Sequence, residues 1–121
     1  MKVLICEDNE VALKVIQVAL EDLKLETVIA RDGRRALQLL DIHTDFDLIV
    51  TDIHMPFLNG DDVLKEVRAY QGKNTPIIMV SSDADQDVIA MALKSGVNEF
   101  IEKPLDPKVL KEKVKKLLNI S

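Results

Sequence analysis

Short apolar runs alternate along the chain with longer segments whose apolar residues recur at helical spacing. Continuous, β-branched runs are typical of strands that are covered on both faces. Such runs are Val3–Cys6, Thr27–Ala30, Leu48–Thr51, Ile77–Val80 and Phe100–Ile101. The helices predicted between and after them run over Glu10–Leu23 and Gly33–Asp41, after Gly60, over Ala84–Ser95, and from Asp106-Pro107 onward.

Each predicted helix has an apolar stripe that we expect to face a core. The stripes are Ala12, Val15, Ile16, Ala19 and Leu23 in the first helix, Val63, Leu64 and Val67 in the third, and Val109, Leu110, Val114, Leu117 and Leu118 in the last. Gly96 is a typical C-terminal stop for the fourth helix, and Asp106-Pro107 is a typical start for the last.

Five β-then-α units without a hairpin signal indicate an α/β fold with a parallel sheet and helices on both faces. Right-handed crossovers leave few arrangements. The simplest is a five-stranded, doubly wound sheet of order 2-1-3-4-5 within a flavodoxin-like three-layer α/β/α sandwich. We expect one domain over residues 1–121.

Composition excludes several classes of protein. The 16 Lys+Arg against 21 Asp+Glu give a net charge of −5, which argues against general nucleic-acid binding. The single cysteine excludes a disulfide scaffold, and no apolar run reaches the roughly 18 residues of a membrane span. The acidic start does not resemble a signal peptide, so a cytoplasmic protein without membrane association is expected.

Polar residues follow the predicted strands where ligands bind in such sheets, at the carboxyl ends. Strand 1 ends in Glu7-Asp8, strand 3 ends in Asp52, strand 4 ends in Ser81-Ser82, and strand 5 ends, after Glu102, in Lys103-Pro104. Strand 2 ends in Ala30-Arg31, to which we assign no role. With the predicted order, three acids, a hydroxyl and an ammonium group face one crevice.

Three neighbouring carboxylates repel one another unless a cation joins them. Oxygen ligands favour Mg²⁺, Mn²⁺ or Ca²⁺, and one or two carboxylates with several waters is typical of Mg²⁺. Lys103 and Ser81 are suited to phosphate oxygens. Phosphoryl transfer is therefore indicated, with Asp52 on the central strand as the candidate nucleophile.

These residues resemble the response-regulator receiver domains of two-component signalling, and the resemblance covers essentially the whole chain. The matching pieces are Glu7-Asp8, the segment from Asp52 through Ile53-His54-Met55-Pro56-Phe57-Leu58-Asn59 to Gly60, Ser81-Ser82, and Phe100-Ile101-Glu102-Lys103-Pro104. Their order and spacing are more specific than any single piece.

The resemblance implies that Asp52 accepts a phosphoryl group from a sensor histidine kinase or a histidine phosphotransfer protein. It implies that Asp8, Asp52 and the backbone carbonyl of His54 bind Mg²⁺, with Mn²⁺ as the alternative. Glu7 would act through a metal-bound water, and Lys103 would pair with the phosphate. Such a chain is a signalling module that catalyses only its own phosphorylation and slow dephosphorylation.

The resemblance also implies that Ser81 and Phe100 form a switch and that the Lys103–Pro104 peptide bond is cis. Ser81 stands where Thr is also usual, and Phe100 lacks the hydroxyl of a tyrosine. The surface of the fourth helix, strand 5 and the last helix would regulate a downstream protein. The lysines of the last helix are either a solvated face or part of that surface. A monomer or a weak phosphorylation-dependent dimer is expected.

Other functions remain open at this stage. A metal-dependent phosphohydrolase would need a second acid at short spacing after Asp52, and this chain has no acid there. A flavodoxin-like cofactor binder would want a Gly-, Ser- or Thr-rich loop where this chain has Glu7-Asp8-Asn9-Glu10. The chain is either a stand-alone, chemotaxis-type regulator or an excised part of a longer protein.

Overall fold

The computed structural model describes residues 1–43, 45–53, 64–65, 67–68, 74–82 and 85–120. Its centre is a parallel sheet of order β2-β1-β3-β4-β5, which confirms the predicted fold and strand order. The strands are β1 (Lys2–Cys6), β2 (Glu26–Ala30), β3 (Leu48–Asp52), β4 (Ile77–Ser81) and β5 (Glu99–Glu102). Asp52 and Ser81 are thus the last residues of β3 and β4, at the strand ends where the sequence placed them.

Four of the predicted helices have described bounds, and short polar side chains cap their N-termini. They are α1 (Glu10–Asp22), α2 (Gly33–Ile42), α3 (Gln86–Lys94) and α4 (Pro107–Leu118), so α3 and α4 are the fourth and last predicted helices. Their N-cap side chains accept backbone N–H groups in the first turn and come from Asn9, Asp32, Asp85 and Asp106. Of the third predicted helix, only residues 64, 65, 67 and 68 are described, and Val63 lies outside the described residues.

The sheet separates two apolar clusters, and this separation produces the predicted three layers. Side chains of α1 and α4 pack with Ile5 and Val50 on one face. Side chains of α2 and α3, together with Leu64 and Val67, pack with Leu4 and Ile49 on the other face. Adjacent strand residues point to opposite faces, so each continuous apolar run supplies both clusters.

Two details of the predicted helix stripes are wrong. On α1 the fully buried positions include Leu13 and Leu20, while Val15 is only partly buried. On α4 Leu110 and Val114 are buried, but Val109 is 38 % exposed. Each helical residue turns about 100°, so a stripe assigned one position off centre includes a residue at its solvent edge.

Candidate functional site

Three acids gather at the carboxyl ends of β1 and β3. Cys6 is the register partner of Thr51, so the residues that follow these two strand positions, Glu7 and Asp52, are neighbours. One carboxylate oxygen from each of Glu7, Asp8 and Asp52 lies within 4.8 Å of the other two. The structure thus brings together the three acids that the sequence placed in one crevice.

The two acids after β1 differ sharply in environment. Glu7 is 0 % exposed, whereas the next residue, Asp8, is exposed. Glu7 Oε1 accepts the backbone N–H of Asn9 at 3.1 Å, while its buried Oε2 lies 3.0 Å from Lys103 Nζ as an ion pair without hydrogen-bond geometry. Burial, with the nearby charge of Asp52, raises the pKa of Glu7 to about 7 despite hydrogen bonds from Asn9 and Lys103.

Lys103 joins two of these acids. Its Nζ donates to Asp52 Oδ2 at 2.9 Å and to Glu7 Oε1 at 3.0 Å. Its backbone N–H donates to Ser81 O at 2.8 Å, which fixes the start of the loop after β5. Partial burial alone would lower the pKa of Lys103, but the hydrogen bonds to Asp52 and Glu7 hold it above its usual value.

The other predicted site residues lie on β4, β5 and the loop after β5. Ser81 is 1 % exposed and follows Val80, the register partner of Asp52. Phe100 is half-buried and packs against the core cluster that contains α3. The Lys103–Pro104 peptide bond is cis. His54 and the rest of the predicted motif through Gly60 lie outside the described residues.

The sequence placed Thr51 and Cys6 in buried strands behind the acids, but it did not predict the hydrogen bond that Thr51 makes there. Thr51 is 0 % exposed, and its Oγ1 donates to the backbone oxygen of Asp52 at 3.0 Å. Its neighbour on β1, Cys6, is also 0 % exposed, and burial raises the pKa of that thiol to about 12. The available signal was a hydroxyl residue inside an otherwise apolar run, directly before the candidate nucleophile.

The donor set fits a divalent cation. All of the clustered side chains offer carboxylate oxygens, and the buried Glu7 Oε2 has no hydrogen bond of good geometry, its contact being the ion pair with Lys103 Nζ at 3.0 Å. Hard cations take such oxygens, and a cation near Asp8 would reach solvent and so keep water ligands. One described ammonium group, on Lys103, faces three carboxylates, so the cluster retains an excess of negative charge.

A groove opens beside this cluster, between α1 and the loop after β5. It has a volume of about 410 Å³ and includes Lys103 and Ser82 in its lining. Its remaining described lining residues are mostly apolar and are Asn9, Val11, Ala12, Val15, Pro104 and Leu105. Val11 is 75 % exposed, so an apolar surface borders the acidic cluster.

Comparison with protein families gives a consistent result. The model of the "Response regulator receiver domain" family matches residues 3–115. The chain is 39 % identical over 120 residues to chemotaxis protein CheY1 of Helicobacter pylori, covering 98 % of this chain and 97 % of that protein. It is 41 % identical over 120 residues to chemotaxis protein CheY of Pseudomonas aeruginosa, covering 97 % and 95 %.

Solved structures show the same similarity. The receiver domain of the Francisella response regulator 1452 superposes with a TM-score of 0.88 at 33 % identity, covering 98 % of this chain and 96 % of that chain. Chemotaxis response regulator CheY4 of Vibrio cholerae gives a TM-score of 0.87 at 30 % identity, covering 97 % and 98 %. Within the described part of this chain, every helix is too short or too polar to cross a bilayer.

Proposed function

Because the chain belongs to the response regulator receiver domain family, we propose that it is a switch operated by phosphorylation of Asp52. Receiver domains are signalling modules, and the match over residues 3–115 confirms the family that the sequence predicted. The observation that carries the proposal is the contact of Lys103 Nζ with both Asp52 and Glu7, at 2.9 and 3.0 Å.

The proposed reaction transfers a phosphoryl group from a phosphohistidine of a sensor kinase or a histidine phosphotransfer protein. A carboxylate oxygen of Asp52 attacks phosphorus, and a P–O bond forms as the P–N bond breaks. The P–N electron pair returns to the imidazole nitrogen, and the protonated ring leaves as neutral imidazole. Lys103 holds the transferred oxygens from one side, and Ser81, at the end of β4, offers a hydroxyl to another oxygen.

Asp8 and Asp52 would hold Mg²⁺, with Mn²⁺ as the alternative, and Glu7 would act through a metal-bound water. The cation supplies neutralisation of the charge that gathers on the phosphoryl oxygens. The exposed Asp8 leaves a path to solvent, while buried Glu7 keeps its charge close to Asp52. The backbone carbonyl of His54 remains a proposed ligand from the sequence alone.

Phosphorylation would bias an equilibrium between two states of the molecule. Lys103 is bound to Asp52 before transfer, so a new anion on Asp52 changes the groups that Lys103 and Ser81 contact. Ser81 and Phe100 lie on the neighbouring strands β4 and β5, and Phe100 packs against the core cluster that contains α3. Both residues are candidates to move with that change. The output would be a changed surface of α3, β5 and α4.

The groove beside the acidic cluster supports docking of the phosphodonor. Its apolar residues Val11 and Val15 lie on α1, and Lys103 lies at its edge, so a partner seated there would reach Asp52. On the proposed output surface, Glu99 of β5 accepts hydrogen bonds from Lys113 and Lys116 of α4. A downstream protein would therefore meet a surface that mixes charges, and we expect no direct nucleic-acid binding.

Residues 1–121 would form one receiver domain that modifies only itself. Water would slowly attack the aspartyl phosphate, release inorganic phosphate and restore the carboxylate of Asp52. A module of this kind turns over no external ester. The protein would be a monomer or a weak dimer that forms on phosphorylation.

The test combines a phosphoryl mimic with variants of the acid that should receive it. Beryllofluoride with Mg²⁺ should cause a saturable change in the amide NMR spectrum of the full chain. Asp52→Asn should abolish the change because the carboxylate that binds beryllium is gone. Asp41→Asn, which neutralises an exposed acid of α2, should leave the change intact.

Two results would contradict the proposal. One is an Asp52→Asn variant that responds to beryllofluoride like the natural chain. The other is hydrolysis of p-nitrophenyl phosphate at many turnovers per second, which would indicate a phosphohydrolase. Mass spectrometry after incubation with phosphoramidate checks the reaction itself, since one phosphoryl group should appear on the natural chain and none on Asp52→Asn.

A further inference from the structure

A second concave region lies between α3 and the described residues 64, 65, 67 and 68, which we call the post-loop segment. This α3 groove has a volume of about 520 Å³, a size at which protein clefts hold ligands. None of its described lining residues belongs to β5 or α4. The groove is therefore separate from the part of the proposed output surface that those two elements form.

The floor of the α3 groove is apolar. Ile53 and Leu64 contribute from one side, and Val88, Met91 and Ala92 contribute from α3. The three α3 residues are spaced as one face of a helix. Met91 is 69 % exposed, although large apolar side chains are mostly covered in this fold. An apolar floor with an exposed methionine at its edge is typical of an interaction site.

One wall of the groove is held rigidly by Arg68. Its Nη1 donates to Thr75 O at 2.7 Å, and its Nη2 donates to Gly96 O at 3.0 Å and to Asn98 Oδ1 at 3.2 Å. Gly96 has a φ of +110°, a backbone conformation that glycine adopts and other residues rarely do, so the turn that presents this carbonyl to Arg68 favours glycine. A fixed wall lowers the ordering cost of binding.

The described lining of the α3 groove carries a charge opposite to that of the whole chain. Its described lining contains two cations, Lys65 and Arg68, and no acid, whereas the chain carries a net charge of −5. Lys65 is exposed, so its ammonium group can move toward an incoming anion. Apolar floor and cationic rim together complement a ligand with an apolar face and flanking carboxylates.

The geometry points to the α3 groove as a docking site for an acidic amphipathic helix of a partner protein. Such a helix lays residues spaced i, i+3 and i+4 into an apolar groove between two helical segments. Its apolar side chains would contact Met91 and Leu64, and its carboxylates would lie beside Lys65 and Arg68. Binding of the helix does not require phosphorylation, so this proposal can be tested independently of the proposed function.

A pair of synthetic peptides tests this inference on the full, unphosphorylated chain. The first, of about 15 residues, has Leu, Trp and Leu on one helical face and Glu on its flanks; the second has Lys in place of every Glu. The chain contains no tryptophan, so the fluorescence of the peptide reports binding without background. The acidic peptide should bind saturably, and the basic peptide at least about tenfold more weakly.

Variants locate the binding. Met91→Glu should weaken the acidic peptide by about tenfold or more, because it places a like charge on the floor. Leu93→Glu makes the same substitution at an exposed α3 residue that does not line the groove, and it should change affinity less than about twofold. Lys65→Glu should weaken binding by about tenfold, whereas Lys108→Glu on α4 should not.

The inference is overturned if the acidic peptide shows no saturable binding or if both peptides bind alike. It is also overturned if Met91→Glu and Leu93→Glu weaken binding equally. Circular dichroism of both variants checks that α3 remains folded. If Met91→Glu unfolds the chain, the exposed Lys65→Glu decides the matter on its own.

Discussion

Two clusters in this protein join carboxylates to lysines in opposite proportions. The site cluster contains Glu7 and Asp52 around one ammonium group, that of Lys103. The surface cluster contains Glu99 between Lys113 and Lys116, at 3.0 and 3.2 Å. Among the residues that the structure describes, the first has fewer cations than acids and the second has fewer acids than cations.

The degree of burial determines how the ratio of acids to lysines affects the glutamate pKa in each cluster. Glu7 is 0 % exposed, and its pKa is raised to about 7. Partial burial would also raise the pKa of Glu99, but hydrogen bonds from Lys113 and Lys116 bring it below its usual value. The site cluster thus stores repulsion that a cation and a phosphoryl group would relieve. The surface cluster is already satisfied and is expected to contribute modestly to stability.

The largest contrast is expected from removal of a lysine in each cluster. Lys103→Met should slow phosphorylation by phosphoramidate about 100-fold or more, because one charged donor to the transferred group is lost. Lys113→Met should leave the rate within about twofold, since it is remote from Asp52. Intact-mass spectrometry over time measures both rates. Equal slowing in the two variants would remove the functional distinction between the clusters.

The second-largest contrast is expected between the Mg²⁺ affinities of variants at Glu7 and Glu99. Glu7→Gln should weaken Mg²⁺ binding about tenfold, because Glu7 would orient water on the cation. Glu99→Gln should bind Mg²⁺ as the natural chain does. Isothermal titration calorimetry gives both affinities. An unchanged affinity in Glu7→Gln would exclude Glu7 from the metal site.

The same pair should shift stability in opposite directions when no metal is present. At pH 8, Glu7→Gln should raise the free energy of unfolding by about 1 kcal/mol, because a buried charge next to Asp52 is removed. Glu99→Gln should lower the free energy of unfolding by about 0.5 kcal/mol, because two ion pairs near the surface, one of them part-buried, are lost. Urea unfolding in a chelator measures both values, and shifts of the same sign would contradict the comparison.

The smallest effect is the pH dependence of the surface cluster. The pKa of Glu99 is lower in the folded than in the unfolded chain, so its contribution to stability is fully present above about pH 4.3. The contribution should disappear as pH falls through the folded pKa. The difference in unfolding free energy between the natural chain and Glu99→Gln should therefore shrink toward zero between about pH 5 and pH 3. A difference that stays constant over this range would exclude titration of Glu99 as its source.

The sequence predicted which residues meet but not how deeply each is buried. The apolar runs ending at Cys6 and Thr51 place Glu7, Asp8 and Asp52 at one edge once the strand order is known. Adjacent residues leave a strand in opposite directions, and no pattern tells which of Glu7 and Asp8 turns inward. The raised pKa of Glu7 follows from that turn, so it was visible only in the structure.

Contacts between distant segments were also beyond the sequence. Arg68 and Asn98 are 30 residues apart, and neither residue stands in a pattern that would pair them. Val109 shows that local patterns also have a limit. Helical periodicity predicted that it faces the core, but it is 38 % exposed. Regular elements depend on local spacing, whereas the α3 groove depends on where two remote segments come to rest.

Cys6 is a buried thiol whose labelling would report opening of the central sheet. It is the single thiol of the chain, it lies in β1 directly before Glu7, and it is 0 % exposed with a pKa of about 12. Neither oxidants nor alkylating reagents reach a thiol in that state. Labelling of Cys6 requires the central sheet to open, so the labelling rate would report how often the sheet opens.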